Sequence, residues 1–184
     1  MFDVEFVEEI DSTSAYARRN LVDLPNFKVI SANVQTDGHG QFGRKWLSSA
    51  ENGGNCYISI VLKPENIEHL NELTRFTSLM TAKTLAEYDL KAELKYPNDV
   101  LVNGKKIAGI LAESVFMGTT FKGVIVGIGV NLNLGKSEVD TLDIEATSIY
   151  LETGKNIDKK VFIGKLLEKF AQNYAEFLEH GIKA

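Results

Sequence analysis

The sequence predicts an α+β fold, one domain built on a mixed, mainly antiparallel sheet with helices packed on one face. Three observations predict it. Short runs in which apolar and polar residues alternate recur along the chain, the pattern of half-buried strands. Asn103-Gly104 stands between two apolar runs, the strongest short-range hairpin signal. Two longer segments repeat their apolar residues at helical spacing instead. No repeat, linker or low-complexity stretch divides them, so residues 1–184 read as a single domain.

Phe2, Val4 and Phe6 alternate with acidic neighbours and form the first predicted strand. Asp11-Ser12-Thr13-Ser14 follows, and its side-chain oxygens suit a helix N-cap. The same hydroxyls of Ser12, Thr13 and Ser14 are candidates to face the polar head of a ligand. Residues 27–34 form a strand that feeds a glycine-rich loop. Asn52-Gly53-Gly54 reads as a turn, and residues 55–62 alternate as a strand. From 67 to 88, Leu70, Leu73, Phe76, Leu79, Met80 and Leu85 mark a long core helix. Pro97 interrupts the next strand. The Asn103-Gly104 turn then sets Asp99 and Lys106 on opposite arms of a tight hairpin, close enough to approach each other, and Ile107, Gly109 and Leu111 continue the second arm.

Residues 120–131 return as a strand through the turn Met117-Gly118-Thr119. Gly127 and Gly129 leave two positions on one of its faces without side chains, which marks a close approach by ligand or backbone. A short helix is predicted at 145–151. Val161, Leu166, Phe170, Tyr174 and Phe177 define a closing amphipathic helix over 158–180, with Gly181 as its stop. His69 and His180 read as surface residues without partners.

Composition excludes several classes. The 25 acidic and 20 basic residues leave a formal charge of −5 without a basic block, which argues against a nucleic-acid surface. One cysteine, Cys56, precludes an intrachain disulfide, and its place in a predicted strand makes it a buried thiol. No Cys/His cluster signals a metal site. The start of the chain has neither a basic n-region nor a long apolar run, so no membrane segment and a cytoplasmic location are expected.

The loop Gln35-Thr36-Asp37-Gly38-His39-Gly40-Gln41-Phe42-Gly43-Arg44-Lys45-Trp46 is the chemical focus. Its glycines permit positive φ and close approach to a ligand. Its backbone N–H groups suit an anion. Arg44 and Lys45 add charge and Trp46 adds an apolar wall. Such a loop suits a ligand with an acidic group and an apolar body. Gly38-x-Gly40-x-x-Gly43 matches the dinucleotide fingerprint in letters only, because loop and strand follow where a helix must open. Gly135-Lys136-Ser137 likewise fails as a P-loop, since Val130 stands where the first glycine is required.

Four segments taken together resemble the catalytic domain of biotin protein ligases. They are Asp11-Ser12-Thr13-Ser14, the loop 35–46, Lys95-Tyr96-Pro97-Asn98-Asp99 with Lys106-Ile107-Ala108-Gly109-Ile110-Leu111, and Gly127-Ile128-Gly129-Val130-Asn131. Each is weak alone; their order and spacing are specific. The resemblance implies the class II aminoacyl-tRNA synthetase-like, biotin–lipoate ligase fold. It implies a ligase that uses ATP and Mg²⁺ to form biotinyl-5′-AMP. The acyl group then passes to a lysine of a biotin carboxyl carrier protein, of acetyl-CoA carboxylase or a related enzyme.

Carried over by position, the resemblance gives Ser12, Thr13, Ser14, Gln35, Gly38, His39, Gly40, Gln41, Lys106 and Gly109 to biotin. It gives Gly40, Gln41, Phe42, Arg44, Trp46, Asn98 and Asn131 to the adenylate. Lys106 is the catalytic cation, and Asp99 orients or deprotonates the incoming lysine. No protein residue is expected to ligate a metal.

Departures from the family pattern also bear on function. His39 and Gln41 stand where the family's loop carries arginine, which predicts weaker retention of the adenylate. Ser14 replaces asparagine, and Tyr96 replaces tryptophan. Neither an N-terminal helix-turn-helix nor the small C-terminal β-domain of the family is expected. An exposed edge strand would allow a homodimer. Two alternatives are a lipoate–protein ligase of the same fold and a biotin-binding module without catalysis.

Overall fold

Seven strands and five α-helices follow one another in a computed structural model that describes residues 1–48 and 54–182, apart from the Phe42 side chain. Strand β1 (Asp3–Ile10) leads into helix α1 (Thr13–Arg19), and β2 (Lys28–Gln35) and β3 (Cys56–Leu62) flank the glycine loop. Helix α2 (Leu73–Ala86) precedes β4 (Ala92–Lys95), β5 (Asp99–Val102), β6 (Lys105–Met117) and β7 (Thr120–Val130). The short helices α3 (Lys136–Val139) and α4 (Ile149–Thr153) lead to the long α5 (Lys159–His180). Asn52 and Gly53 of the predicted turn lie outside the described residues.

All seven strands form one sheet, in the order β1-β2-β3-β7-β6-β5-β4. Only the β1–β2 pair is parallel, because α1 carries the chain over between them; every other pair is antiparallel. Asn103 and Gly104 take φ of 51° and 77° in the β5–β6 turn, as the tight hairpin signal requires.

Alternation within the strands divides the sheet into two faces. Ile58, Ile60 and Leu62 of β3, with Val124, Val126 and Ile128 of β7, face α2 and α5 in the main core. Phe76 of α2 stacks on Phe177 of α5, with ring centroids 4.3 Å apart, and meets Phe170 edge-on at 5.1 Å. On the opposite face, Ala17 and Leu21 of and just beyond α1 cover Val61 and Ile125. The two long helices thus share one face, as expected, while short α1 packs on the other. Beyond α1 that second face stays open and forms the floor of a cavity.

Several boundaries differ from the sequence reading. The helix predicted over 67–88 begins as a 3₁₀ turn at Leu70–Glu72 and becomes α-helical only at Leu73. Strand β3 is buried on both faces, because helices cover one side and α1 and the site cover the other. The helix predicted at 145–151 starts at Ile149, since residues 145–147 run extended beside Lys106. Val161 is exposed on α5, although its spacing suggested the core. His69 is not a lone surface residue, for its Nδ1 lies 3.5 Å from a Glu72 carboxylate oxygen and packs over Gly181. Cys56 is fully buried, and burial pushes its thiol up to about 12.

Candidate active site

A cavity of about 720 Å³ opens on the second face of the sheet. Its walls come from four segments: residues 12–14 at the start of α1, the loop after β2, the β4–β5 turn, and a strap at residues 141–146. Its floor is made by Gly109 of β6 and by Gly127 and Gly129 of β7, with Tyr57 of β3.

One end of the cavity carries a directed chain of hydrogen bonds. The Thr13 N–H and hydroxyl both donate to Gln35 Oε1, at 2.8 and 3.0 Å. A backbone N–H can only donate, so it fixes which end of the Gln35 amide is oxygen. Ser59 donates to Thr13 Oγ1 at 2.8 Å, and Ser14 and Ser59 hydroxyls lie 2.8 Å apart. Ser59 has one proton and gives it to Thr13, so Ser14 must donate to Ser59. The relay leaves the Gln35 amide NH₂ and the lone pairs of Ser14 for a ligand. Gly127 makes room for it, since a Cβ there would lie 2.7 Å from Ser14 Oγ. Ser12 does something different: its hydroxyl accepts from the Ala15 N–H at 3.3 Å and caps α1.

The glycine loop folds as a small hairpin. Trp46 N–H donates to the Gly38 carbonyl at 2.9 Å, Gly40 N–H donates to the Arg44 carbonyl at 2.7 Å, and His39 pairs with Lys45. The Arg44 N–H also donates to the Gln41 carbonyl, at 3.3 Å, so three loop N–H groups are used inside the loop, and fewer donors face an anion than the glycine pattern predicted. Only Gly43 of the three glycines takes a positive φ, 70°. Gly38 is required for another reason, because a Cβ there would sit 2.8 Å from Gln35 Nε2. His39 Nε2 lies 3.4 Å from Asp37 Oδ1, and Gln41, Arg44 and Lys45 complete this wall. Phe42, expected on the adenylate side, has its side chain outside the described part.

Trp46 is folded back onto the floor. A Cβ on Gly129 would meet its ring at 2.6 Å, and one on Gly109 at 2.7 Å. The glycines thus provide the slot in which the ring lies. Lys106 Nζ stands 5.1 Å from the ring centroid and 2.6 Å from Asp99 Oδ1, as the hairpin predicted. Both side chains of that ion pair are mostly shielded, at 18% and 25% exposure, so the attraction is screened less than a surface pair would be. The Lys106 backbone is held on both sides by the strap, through bonds from its N–H to Glu145 and to its carbonyl from Thr147, each 2.9 Å.

Asn131 lines the cavity, but its side-chain amide donates to the Thr147 carbonyl at 3.0 Å. It anchors the strap. Asn98 lines the cavity next to Asp99, and its carbonyl accepts from Ile110 N–H at 2.9 Å.

With this geometry in view, the model of the biotin/lipoate A/B protein ligase family matches residues 6–131. The chain belongs to that family. It is 34% identical over 183 residues to the biotin–[acetyl-CoA-carboxylase] ligase of Paracoccus denitrificans, covering 93% of this chain and 72% of that one. It is 32% identical over 162 residues to the bifunctional ligase/repressor BirA of Bacillus subtilis, covering 86% of this chain. The chain spans only about half, 49%, of that relative's length. Among solved structures, the Aquifex aeolicus biotin protein ligase in complex with biotin and ATP superposes with a TM-score of 0.81. The two share 31% sequence identity, and the match covers 97% of this chain and 72% of that one.

Within this biotin/lipoate ligase fold, the sequence-predicted residues converge on one cavity: Ser12, Thr13, Ser14, Gln35, Gly38, His39, Gly40, Gln41, Arg44, Trp46, Asn98, Asp99, Lys106, Gly109 and Asn131 all line it. Sequence reasoning missed Ser59, which lies beneath the floor and directs the hydroxyl relay. A serine inside an apolar strand was the available signal. It also missed the strap residues Leu142, Asp143, Ile144 and Ala146. They carry no motif, and only their return to Lys106 puts them at the site.

Proposed function

We propose that this protein is the catalytic domain of an ATP-dependent ligase. It activates biotin as biotinyl-5′-AMP and transfers it to a lysine of a biotin carboxyl carrier protein, acting in the cytoplasm. The observation that carries this reading is the Lys106–Asp99 pair, 2.6 Å apart, between the hydroxyl relay and the strap. Adenylation brings a carboxylate up to a phosphate, and a fixed ammonium at that junction offsets the repulsion and the charge that develops at phosphorus.

In this reading the Gln35 amide NH₂ and Ser14, with Ser12 and Thr13 behind them, hold the polar head of biotin. Gly38, Gly109 and Gly127 bound its apolar body, and Trp46 covers the adenylate. A carboxylate oxygen of biotin attacks the α-phosphorus beside Lys106, and pyrophosphate leaves. His39, Gly40, Gln41 and Arg44 border the adenylate from the loop, and the strap anchored by Asn131 borders it from the other side. The acceptor amine then attacks the acyl carbon, AMP leaves, and Asp99 orients the amine or takes its proton.

Among the described residues no group of three His, Cys, Asp or Glu is placed to hold a metal. A magnesium ion brought in with ATP would offset the charge of the leaving pyrophosphate. The solved Aquifex relative binds biotin and ATP, which supports the same pair of substrates here.

Incubation with ATP, radiolabelled biotin and a carrier domain tests the proposal. Label on the carrier is expected. Biotin bound without turnover would overturn it in favour of a binding module, and transfer of lipoate alone would overturn the substrate.

A further inference from the structure

The Asp99 end of the cavity is bordered by the turn Tyr96-Pro97-Asn98 between β4 and β5. This turn is a fixed part of the wall. Lys95 pairs with Asp99, Asp99 pairs with Gly109, and the Asn98 carbonyl is tied to the Ile110 N–H. Its outer side is open. Tyr96 is 92% exposed, far more than any other aromatic ring among the described residues; Phe116 follows at 55%. Leu94, two residues earlier, and Pro97 are exposed beside it. Strand β4 is the last in the sheet, so among the described residues no further strand covers this edge.

A lone exposed apolar residue is ordinary. The position of this one is not. Of the segments that border the cavity, the start of α1 presents hydroxyls, and the glycine loop turns Trp46 inward onto the floor. The strap is bonded to both backbone groups of Lys106. The β4–β5 turn holds two cavity-lining residues, Asn98 and Asp99, on one side and presents on the other the most exposed aromatic ring among the described residues.

We propose that Tyr96, with Leu94 and Pro97, is the docking surface for the acceptor protein, and that it receives the polypeptide flanking the target lysine. The inference rests on the ligase reading of the cavity. A lysine reaches the Asp99–Lys106 pair on a flexible aliphatic stem, so the acceptor's main chain has to sit at the cavity mouth. An exposed aromatic ring there gains much from desolvation and loses little rotamer freedom, which is why such rings concentrate binding energy in interfaces. Tyr96 does not line the cavity itself. Its contribution therefore falls on capture of the second substrate and not on adenylation.

The test is Tyr96→Ala, a change at an exposed side chain that leaves the fold intact, with thermal melting as the control. Pyrophosphate release from ATP and biotin should equal that of the unaltered chain, as should transfer to hydroxylamine, a small amine that needs no docking. The KM for a biotin carboxyl carrier domain should rise about tenfold, with kcat changed less, and Tyr96→Trp should restore it. An unchanged KM for the carrier overturns the inference. So does an equal loss with hydroxylamine, or a raised KM for ATP, which would assign the ring to the nucleotide. If the unaltered chain releases no pyrophosphate, the ligase reading itself has failed, a result distinct from all of these.

Discussion

The two faces of β3 and β7 are built from alternate residues of the same strands, yet they do opposite things. Ile58, Ile60, Val126 and Ile128 point one way and close a core under α2 and α5. Ser59, Gly127 and Gly129 point the other way, where a hydroxyl relay and the Trp46 ring take the space their small size leaves. The strands need no special backbone for this. A period of two is enough to make one face hold the fold and the other hold a ligand. Stability and chemistry should therefore be separable by single substitutions one residue apart.

The strongest separation is expected at Lys106. Lys106→Met should lower the rate of pyrophosphate release from ATP and biotin by about a thousandfold, while thermal melting stays close to that of the parent. An unchanged rate would remove the ammonium from the mechanism.

Next comes the adjacent pair Ile128 and Gly129. Ile128 is 2% exposed on the core face, and Ile128→Ala should cost about 3 kcal/mol in denaturant unfolding. Gly129→Ala should cost under about 1 kcal/mol, because its Cβ meets a side chain at the edge of an open cavity. It should instead lift the Trp46 ring and weaken retention of the adenylate. Trp46 is the chain's only tryptophan, so its fluorescence reports the displacement directly. If both variants lost the same stability, the two faces would not be independent.

A smaller effect is expected in the loop. The double variant His39→Arg with Gln41→Arg adds cations to the wall beside the adenylate and should slow release of labelled adenylate severalfold. Equal release from the variant and the natural chain would dismiss the idea that these two residues loosen retention.

The smallest effect belongs to the core face. The buried Cys56 thiol is raised from 9.0 to about 12. Between those values the unfolded chain gives up the thiol proton and the folded chain keeps it, so the folded state binds more protons and stability falls as pH rises. Unfolding free energies of Cys56→Ala should fall less steeply over that window. The same burial should keep Cys56 unreactive toward alkylating agents until the protein unfolds.

The sequence by itself determined much of this molecule. Alternation placed the strands, Asn103-Gly104 fixed the hairpin that brings Asp99 to Lys106, and the glycines at 127 and 129 marked the open face. These are local signals, carried by backbone preference and side-chain period, so they survive in a linear reading. Tertiary structure alone decided the rest. Ser59 joins the relay only because β3 lies under α1. The strap meets Lys106 only because the chain returns after β7, and Trp46 lies inward only because two glycines from different strands make one slot. Those contacts join residues far apart in the chain, and their energies depend on a packing that no single segment encodes.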